Sequence, residues 1–192
     1  MQNEIPKPTI PPRVRPGARI HAADAPVGDI LRTRNGIELV MRPIAPDDAP
    51  ALVRAFAHLT PEQVRMRLFS NLSSLPLEMA VQLCDVNPAR VSAFVVTKPG
   101  DREILAEARL IADRSAALGE FAIVVDPEWT GIGVAHALVT RLINEGRQRG
   151  LSEMWGDILA DNRPMLDLVQ RLGFERHPHA DDHGVIRASL AL

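Results

Sequence analysis

Tyrosine is absent from this chain of 192 residues, and cysteine appears once, as Cys84. One cysteine rules out an internal disulfide and fits a reducing compartment, by expectation the cytoplasm. No stretch approaches the roughly 20 apolar residues that would span a bilayer, and the N-terminus lacks the apolar centre of a secretory signal. A membrane is therefore not an expected partner. Charge of either sign is barely in excess: the formal net charge is -2, whereas a nucleic-acid-binding domain is normally basic. Nucleic acid is not an expected partner either. Internal repeats are missing as well.

What the chain does have is apolar material, 46% of residues, enough to fill the core of one domain with some length to spare. The spare length falls at residues 1–27, where Pro6, Pro8, Pro11, Pro12, Pro16 and Pro26 interrupt a stretch without apolar periodicity. It reads as an extended or disordered arm, mildly basic through Lys7, Arg13, Arg15 and Arg19, ahead of a domain over residues 28–192. Asn35-Gly36 sits between two alternating runs, so residues 29–34 and 37–44 are expected to form a hairpin with a two-residue turn. Three helical segments follow. The first has Asp47 or Asp48 as its cap, Pro50 in its first turn and an apolar face at Leu52, Val53, Phe56 and Leu59. The second opens at Thr60-Pro61-Glu62, and the third is "LPLEMAVQLCDV".

The hydrophobic period then shortens. Residues 91–98, 103–113 and 119–126 read as an antiparallel meander. A helix over 132–149 carries the stripe Ala135, Leu138, Val139, Leu142 and Ile143 and stops at Gly150. A strand over 152–159, a helix over 161–173 capped by Asp161 or Asn162, and two short strands complete an α+β domain around one mixed, mostly antiparallel sheet.

The stretch "DPEWTGIGVAHAL" (126–138) places Gly131 and Gly133 where a strand gives way to a helix. A tight turn alone would account for them. So would an anion site, because the first turn of a helix offers unpaired N–H groups that side chains would otherwise obstruct. Position 136 is His136, so the dinucleotide pattern G-x-G-x-x-G is incomplete, and no Gly-Lys-Ser/Thr marks a triphosphate loop.

The run "EFAIVVDPEWTGIGVAHALVTRLI", followed by "ILADNRPMLDLVQRLGF", resembles the core of the GNAT N-acetyltransferases. The family signature Gln/Arg-x-x-Gly-x-Gly/Ala falls on Thr130 to Ala135, its helix-start Asn on Asn162, and its Leu-Gly-Phe on Leu172-Gly173-Phe174. The likeness runs over roughly residues 37–178. The upstream part, "MRPIAPDDAPALVRAFAHLTPEQVRMRLFS", is similar more narrowly to bacterial Pat-like protein lysine acetyltransferases. The resemblance implies the GNAT fold, acetyl-CoA as cosubstrate, no metal, and an amine acceptor such as a protein lysine. A small-molecule amine or a non-catalytic acyl-CoA sensor are the alternatives, and a homodimer is compatible with it. It also implies that main-chain groups of Gly131, Ile132, Gly133, Val134 and Ala135 hold the pyrophosphate. Ile123, Val124 and Val125 would pair with the pantetheine arm, and Asn162 would line the slot. Thr130 departs from the family's Gln or Arg and has a shorter reach.

Acetyl transfer to a lysine amine, with a pKa of ~10.4, requires that the amine lose a proton. By position, Glu120 reads equally as an edge carboxylate or as that base; the resemblance favours the base, and partial burial would raise its pKa. The tyrosine that many GNAT enzymes use to protonate the leaving thiolate would stand at Val169. Elsewhere, "HPHADDH" reads as a polar hairpin turn rather than a metal site, and Cys84 as a buried structural thiol. Trp129 reads as a wall or a prop, Trp155 as core, and Arg65 and Arg67 as a solvated helix face rather than an acid-binding pair.

Overall fold

The computed structural model describes residues 28–68, 73–115 and 117–192; the expected proline-rich arm lies outside them. Strands β1 (Asp29–Arg32) and β2 (Glu38–Pro43) form the predicted hairpin, with Arg32 opposite Glu38. Its loop is one residue longer than expected. Thr33 N–H donates to the Ile37 carbonyl at 2.9 Å and Gly36 N–H to the Thr33 carbonyl at 3.0 Å, so Arg34, Asn35 and Gly36 make a three-residue turn. The Thr33 hydroxyl fixes this choice, donating to Asn35 Oδ1 at 2.6 Å and accepting the Ile37 amide at 2.9 Å. Arg34 is thereby a loop residue, not a strand residue.

Helices α1 (Ala49–Ala57), α2 (Pro61–Leu68) and α3 (Leu77–Cys84) come next. Asp48 does not cap α1 as expected. Its carboxylate turns back to the Ala45 amide at 2.8 Å and to both terminal nitrogens of Arg42 at 2.6 and 2.8 Å. Helix α2 opens with a capping box: Thr60 Oγ1 accepts from Gln63 N–H at 3.2 Å, and Gln63 Oε1 accepts from Thr60 N–H at 3.0 Å.

The meander follows as β3 (Val91–Thr97), β4 (Ala106–Ala112) and β5 (Leu118–Val125). After it come α4 (Val134–Gln148), β6 (Glu153–Leu159), α5 (Arg163–Arg171), β7 (Glu175–Pro178) and β8 (Val185–Ala191). The sheet order is β1-β2-β3-β4-β5-β6-β8-β7, with only β5 and β6 parallel. Strand alternation gives two faces. Phe94, Val96, Ala108, Leu110 and Phe121 pack with Leu138, Val139 and Leu142 of α4 and with Leu166 and Val169 of α5. Ala93 and Val95 face the opposite way, against Ala51 and Leu52 of α1 and Ala80 and Cys84 of α3. Each fully buried aliphatic side chain contributes roughly 1.5–3 kcal/mol.

Candidate active site

The site begins where the sheet comes apart. β5 and β6 pair only at Leu118–Glu153, Gly119–Met154 and Glu120–Trp155, and then diverge. Beyond Glu120, β6 stays bonded to β8 and β5 to β4, leaving one edge of β5 open. Two flanking bonds fix which residues face that opening: Asp113 N–H to the Leu118 carbonyl, and Asp126 N–H to the Leu105 carbonyl, both 2.8 Å. Even-numbered residues of β5 therefore spend their main-chain groups on β4, and Ile123 and Val125 turn theirs into the gap. Val124 contributes a side chain to the cavity wall, while its main chain is committed to the ladder. The Val125 carbonyl accepts Gln63 Nε2 at 3.0 Å, so α2 is tied across the opening. Gln63 was not singled out from sequence, although its capping-box spacing was visible there.

At the far end of β5 the glycine turn takes the shape its residues permit. Gly131 and Gly133 have φ of 76° and 103°, in the left-handed region that glycine enters freely. The first bond of the α4 ladder is Ala137 N–H to the Gly133 carbonyl at 3.1 Å, so the amides of 134–136 precede it. A Cβ added at Gly131 would meet no atom within 4 Å. Glycine serves the turn's conformation there, and the conformation presents amides to open space. Ile132 packs toward the core, with its carbonyl taken by the Arg34 amide, and Val134 is buried in it; unlike Gly131, Gly133 and Ala135, neither lines the cavity. Thr130 donates its hydroxyl to the Pro127 carbonyl at 2.9 Å, and Ala135 lines the cavity. Asn162 lines it too, with Oδ1 accepting from Met165 N–H at 3.3 Å as the cap of α5.

These groups enclose a cavity of about 660 Å³ running from the glycine turn to Glu120. Glu120 is the last residue of β5 paired with β6 and lies at the crotch of the divergence. Phe121, on the opposite face, is clamped edge-on by Phe174 with ring centroids 5.4 Å apart. Gly156 makes room for that ring, since a Cβ there would lie 2.6 Å from it. The Leu-Gly-Phe motif thus steadies the strand that carries the carboxylate. Burial, and after it the negative charge of Asp157, push the Glu120 carboxyl above its ordinary range; Arg187 and Arg67 pull the other way without cancelling them. Asp157 is gripped by Arg187 at 2.6 and 2.8 Å, and Arg187 lies over the Trp155 ring at 4.0 Å. Trp155 is therefore half-buried beside the site rather than core.

Of the other sequence readings, some hold and some do not. Arg67 is not a solvated residue: it lines the cavity and pairs with buried Glu107 at 3.3 Å, while Arg65 bridges Glu62 and Asp161 at 2.9 and 2.6 Å. Val169 is fully buried, away from the cavity lining. Cys84 is a buried thiol pushed up to about 11, chiefly by burial and then by Asp48. Trp129 packs against the core under Lys98 and acts as a prop. The histidine stretch forms the end of β7 and a turn, with Asp181 N–H donating to His179 Nδ1 at 3.2 Å. Arg34, Arg67 and Asp157 were missed as site residues, because their placement depends on contacts between distant segments.

The family model of the acetyltransferase (GNAT) domain matches residues 38–175. This chain belongs to the GNAT acetyltransferase family. Among curated relatives, Acetyltransferase PA5475 of Pseudomonas aeruginosa is 26% identical over 160 residues, 82% of this chain and 86% of that protein. The [ribosomal protein bS18]-alanine N-acetyltransferase of Escherichia coli is 31% identical over 81 residues, 42% of this chain and 53% of that one. Acetyltransferase Pat of Mycolicibacterium smegmatis is 24% identical over 144 residues, 74% of this chain but only 43% of its own length. The GNAT domain of S. lividans PAT shares the fold with a TM-score of 0.79 at 24% identity, over 86% of this chain and 97% of that one. The yncA structure from Salmonella typhimurium, solved with acetyl-CoA, gives a TM-score of 0.66 at 18% identity, over 80% and 94%. This GNAT protein is an acetyltransferase that uses acetyl-CoA, and its open β5 edge and glycine turn fit that cosubstrate.

Proposed function

We propose that this GNAT enzyme acetylates the side-chain amine of lysine in a protein. The observation that carries the reading is Glu120, held at the point where β5 and β6 part, in the cavity that also contains the glycine turn. The acetyl thioester would lie along the open edge of β5, its diphosphate on the main chain of residues 131–135. Glu120 accepts the proton of the incoming ammonium, directly or through a water. The amine nitrogen then bonds to the thioester carbon. An N–H of Ile123 or Val125 meets the charge growing on its oxygen; one such donor is worth roughly 10²–10³ in rate. The carbon–sulfur bond breaks, the nitrogen gives up its second proton to water, and with no tyrosine in the chain the thiolate takes its proton from water.

A protein acceptor is supported by the upstream likeness to Pat-like enzymes and by the relative that acetylates a ribosomal protein. We place the enzyme in the cytoplasm, where its single thiol stays reduced. A small-molecule acceptor is the second reading, favoured by a 36% match over 104 residues to a mycothiol acetyltransferase of Kocuria rhizophila, 53% of this chain but 31% of that protein. Labelled acetyl-CoA with panels of proteins, lysine peptides and small amines separates the two, and label on small amines alone would overturn the first. Glu120→Gln should lower kcat/KM by about 10²-fold or more with coenzyme affinity nearly intact. Unchanged turnover would remove Glu120 from the mechanism.

A further inference from the structure

We propose that Arg34, from the β1–β2 loop, clamps the diphosphate of coenzyme A and fills the role that Thr130 is too short to play. The proposal rests on the coenzyme lying along the β5 edge and glycine turn, as proposed above.

Four observations converge on this residue. The three-residue loop frees the Arg34 amide from hairpin pairing, and it donates instead to the Ile132 carbonyl at 2.9 Å, within the glycine turn. The hairpin tip is thereby fastened to the turn. The side chain then runs alongside Gly133, where an added Cβ would lie 3.6 Å from Arg34 Cγ and 3.9 Å from its Nε. Arg34 lines the same cavity as Gly131 and Gly133. Its guanidinium has no hydrogen-bond or ion-pair partner among the described residues, whereas Arg32, two residues earlier, pairs with Glu38 at 2.7 Å.

The electrostatics point the same way. The N-terminus of α4 carries positive dipole charge, which disfavours a neighbouring cation. An exposed guanidinium beside it is mildly repelled, and an anion between the two turns that repulsion into attraction. A diphosphate suits both partners: its oxygens accept from the amides of the helix start and, on another side, from the planar fork of an arginine. Thr130 cannot compete, since its hydroxyl is already given to Pro127. The long polar side chain, Gln or Arg, that the family's signature has at that position is replaced here by an arginine from an element nearly a hundred residues away in sequence.

Isothermal titration of the full chain with coenzyme A and with dephospho-coenzyme A, which keeps the diphosphate and lacks the 3′-phosphate, tests the assignment. Arg34→Gln should weaken both ligands by the same factor, about tenfold to a hundredfold, as expected for charge-assisted hydrogen bonds. Arg34→Lys should recover only part of the loss, because a point charge lacks the fork. The ligand-free melting temperature should not move, since the side chain is exposed. Wild-type affinity in Arg34→Gln overturns the proposal. A loss seen with coenzyme A but not with the dephospho form also overturns it, assigning Arg34 to the 3′-phosphate. A wild-type chain that binds neither ligand would count against the coenzyme site itself.

Discussion

A base that must deprotonate an ammonium needs two properties at once: access to solvent-borne substrate and some reluctance to ionise. Glu120, the proposed base, has both: its strand opens there, and burial, followed by the charge of Asp157 close by, holds back its ionisation. Asp157 cannot swing away, being held on both carboxylate oxygens by Arg187, itself stacked on Trp155. Transfer should therefore rise with pH through a value above the ordinary glutamate range, as Glu120 loses its proton. In Asp157→Asn the opposing charge is gone and Arg187 keeps its own. The Glu120 carboxyl then falls, and the acid limb of kcat/KM moves to lower pH. A limb that stays in place, or moves up, would mean that Asp157 does not act on Glu120. The direction of the shift separates this electrostatic role from simple loss of structure, which would lower the rate at every pH.

The elements were legible where one physical signal decided them. Apolar periodicity located α4, and the capping Asn162, Pro164 and Gly173 marked the start and end of α5. The glycine turn stood out for a similar reason, since it lies in one continuous segment, whereas Glu120 read equally as an edge carboxylate and only the family resemblance favoured it as a base. The loop of the first hairpin was less legible. Asn35-Gly36 favours a two-residue turn, but the Thr33 hydroxyl bridges across and selects three. Asp48 illustrates the same limit. Its sequence position suggests a helix cap, yet Arg42 on β2 claims it, and that partner is invisible until the sheet is assembled. This pair is buried to 1% and 2% exposure on its two side chains. Asp48→Ala would strand the guanidinium in the interior, at a cost of about 3–5 kcal/mol. Chemical denaturation should report it, and a loss under about 1 kcal/mol would show that Arg42 finds water or another partner.

At the scale of the molecule, the site is a meeting place rather than a property of one segment. The β1–β2 loop, α2, the open edge of β5 and the first turns of α4 and α5 all reach the same cavity. A ligand that touches all of them binds the folded chain and not the unfolded one. Coenzyme A at about 100 times its Kd should thus add roughly 2.7 kcal/mol to stability. For a chain of this size the melting temperature should rise by about 5–10 °C. A melt indifferent to coenzyme A would argue that these elements do not close on it. The two tryptophans neighbour residues that line this cavity, Trp129 next to Thr130 and beneath Lys98, Trp155 opposite Glu120 in the sheet and beneath Arg187. With no phenol in the chain to contribute, its near-ultraviolet emission comes from these two indoles alone. Replacing either one leaves a single intrinsic reporter, so occupancy of the donor end and of the acceptor end become separately observable optical signals without any attached dye.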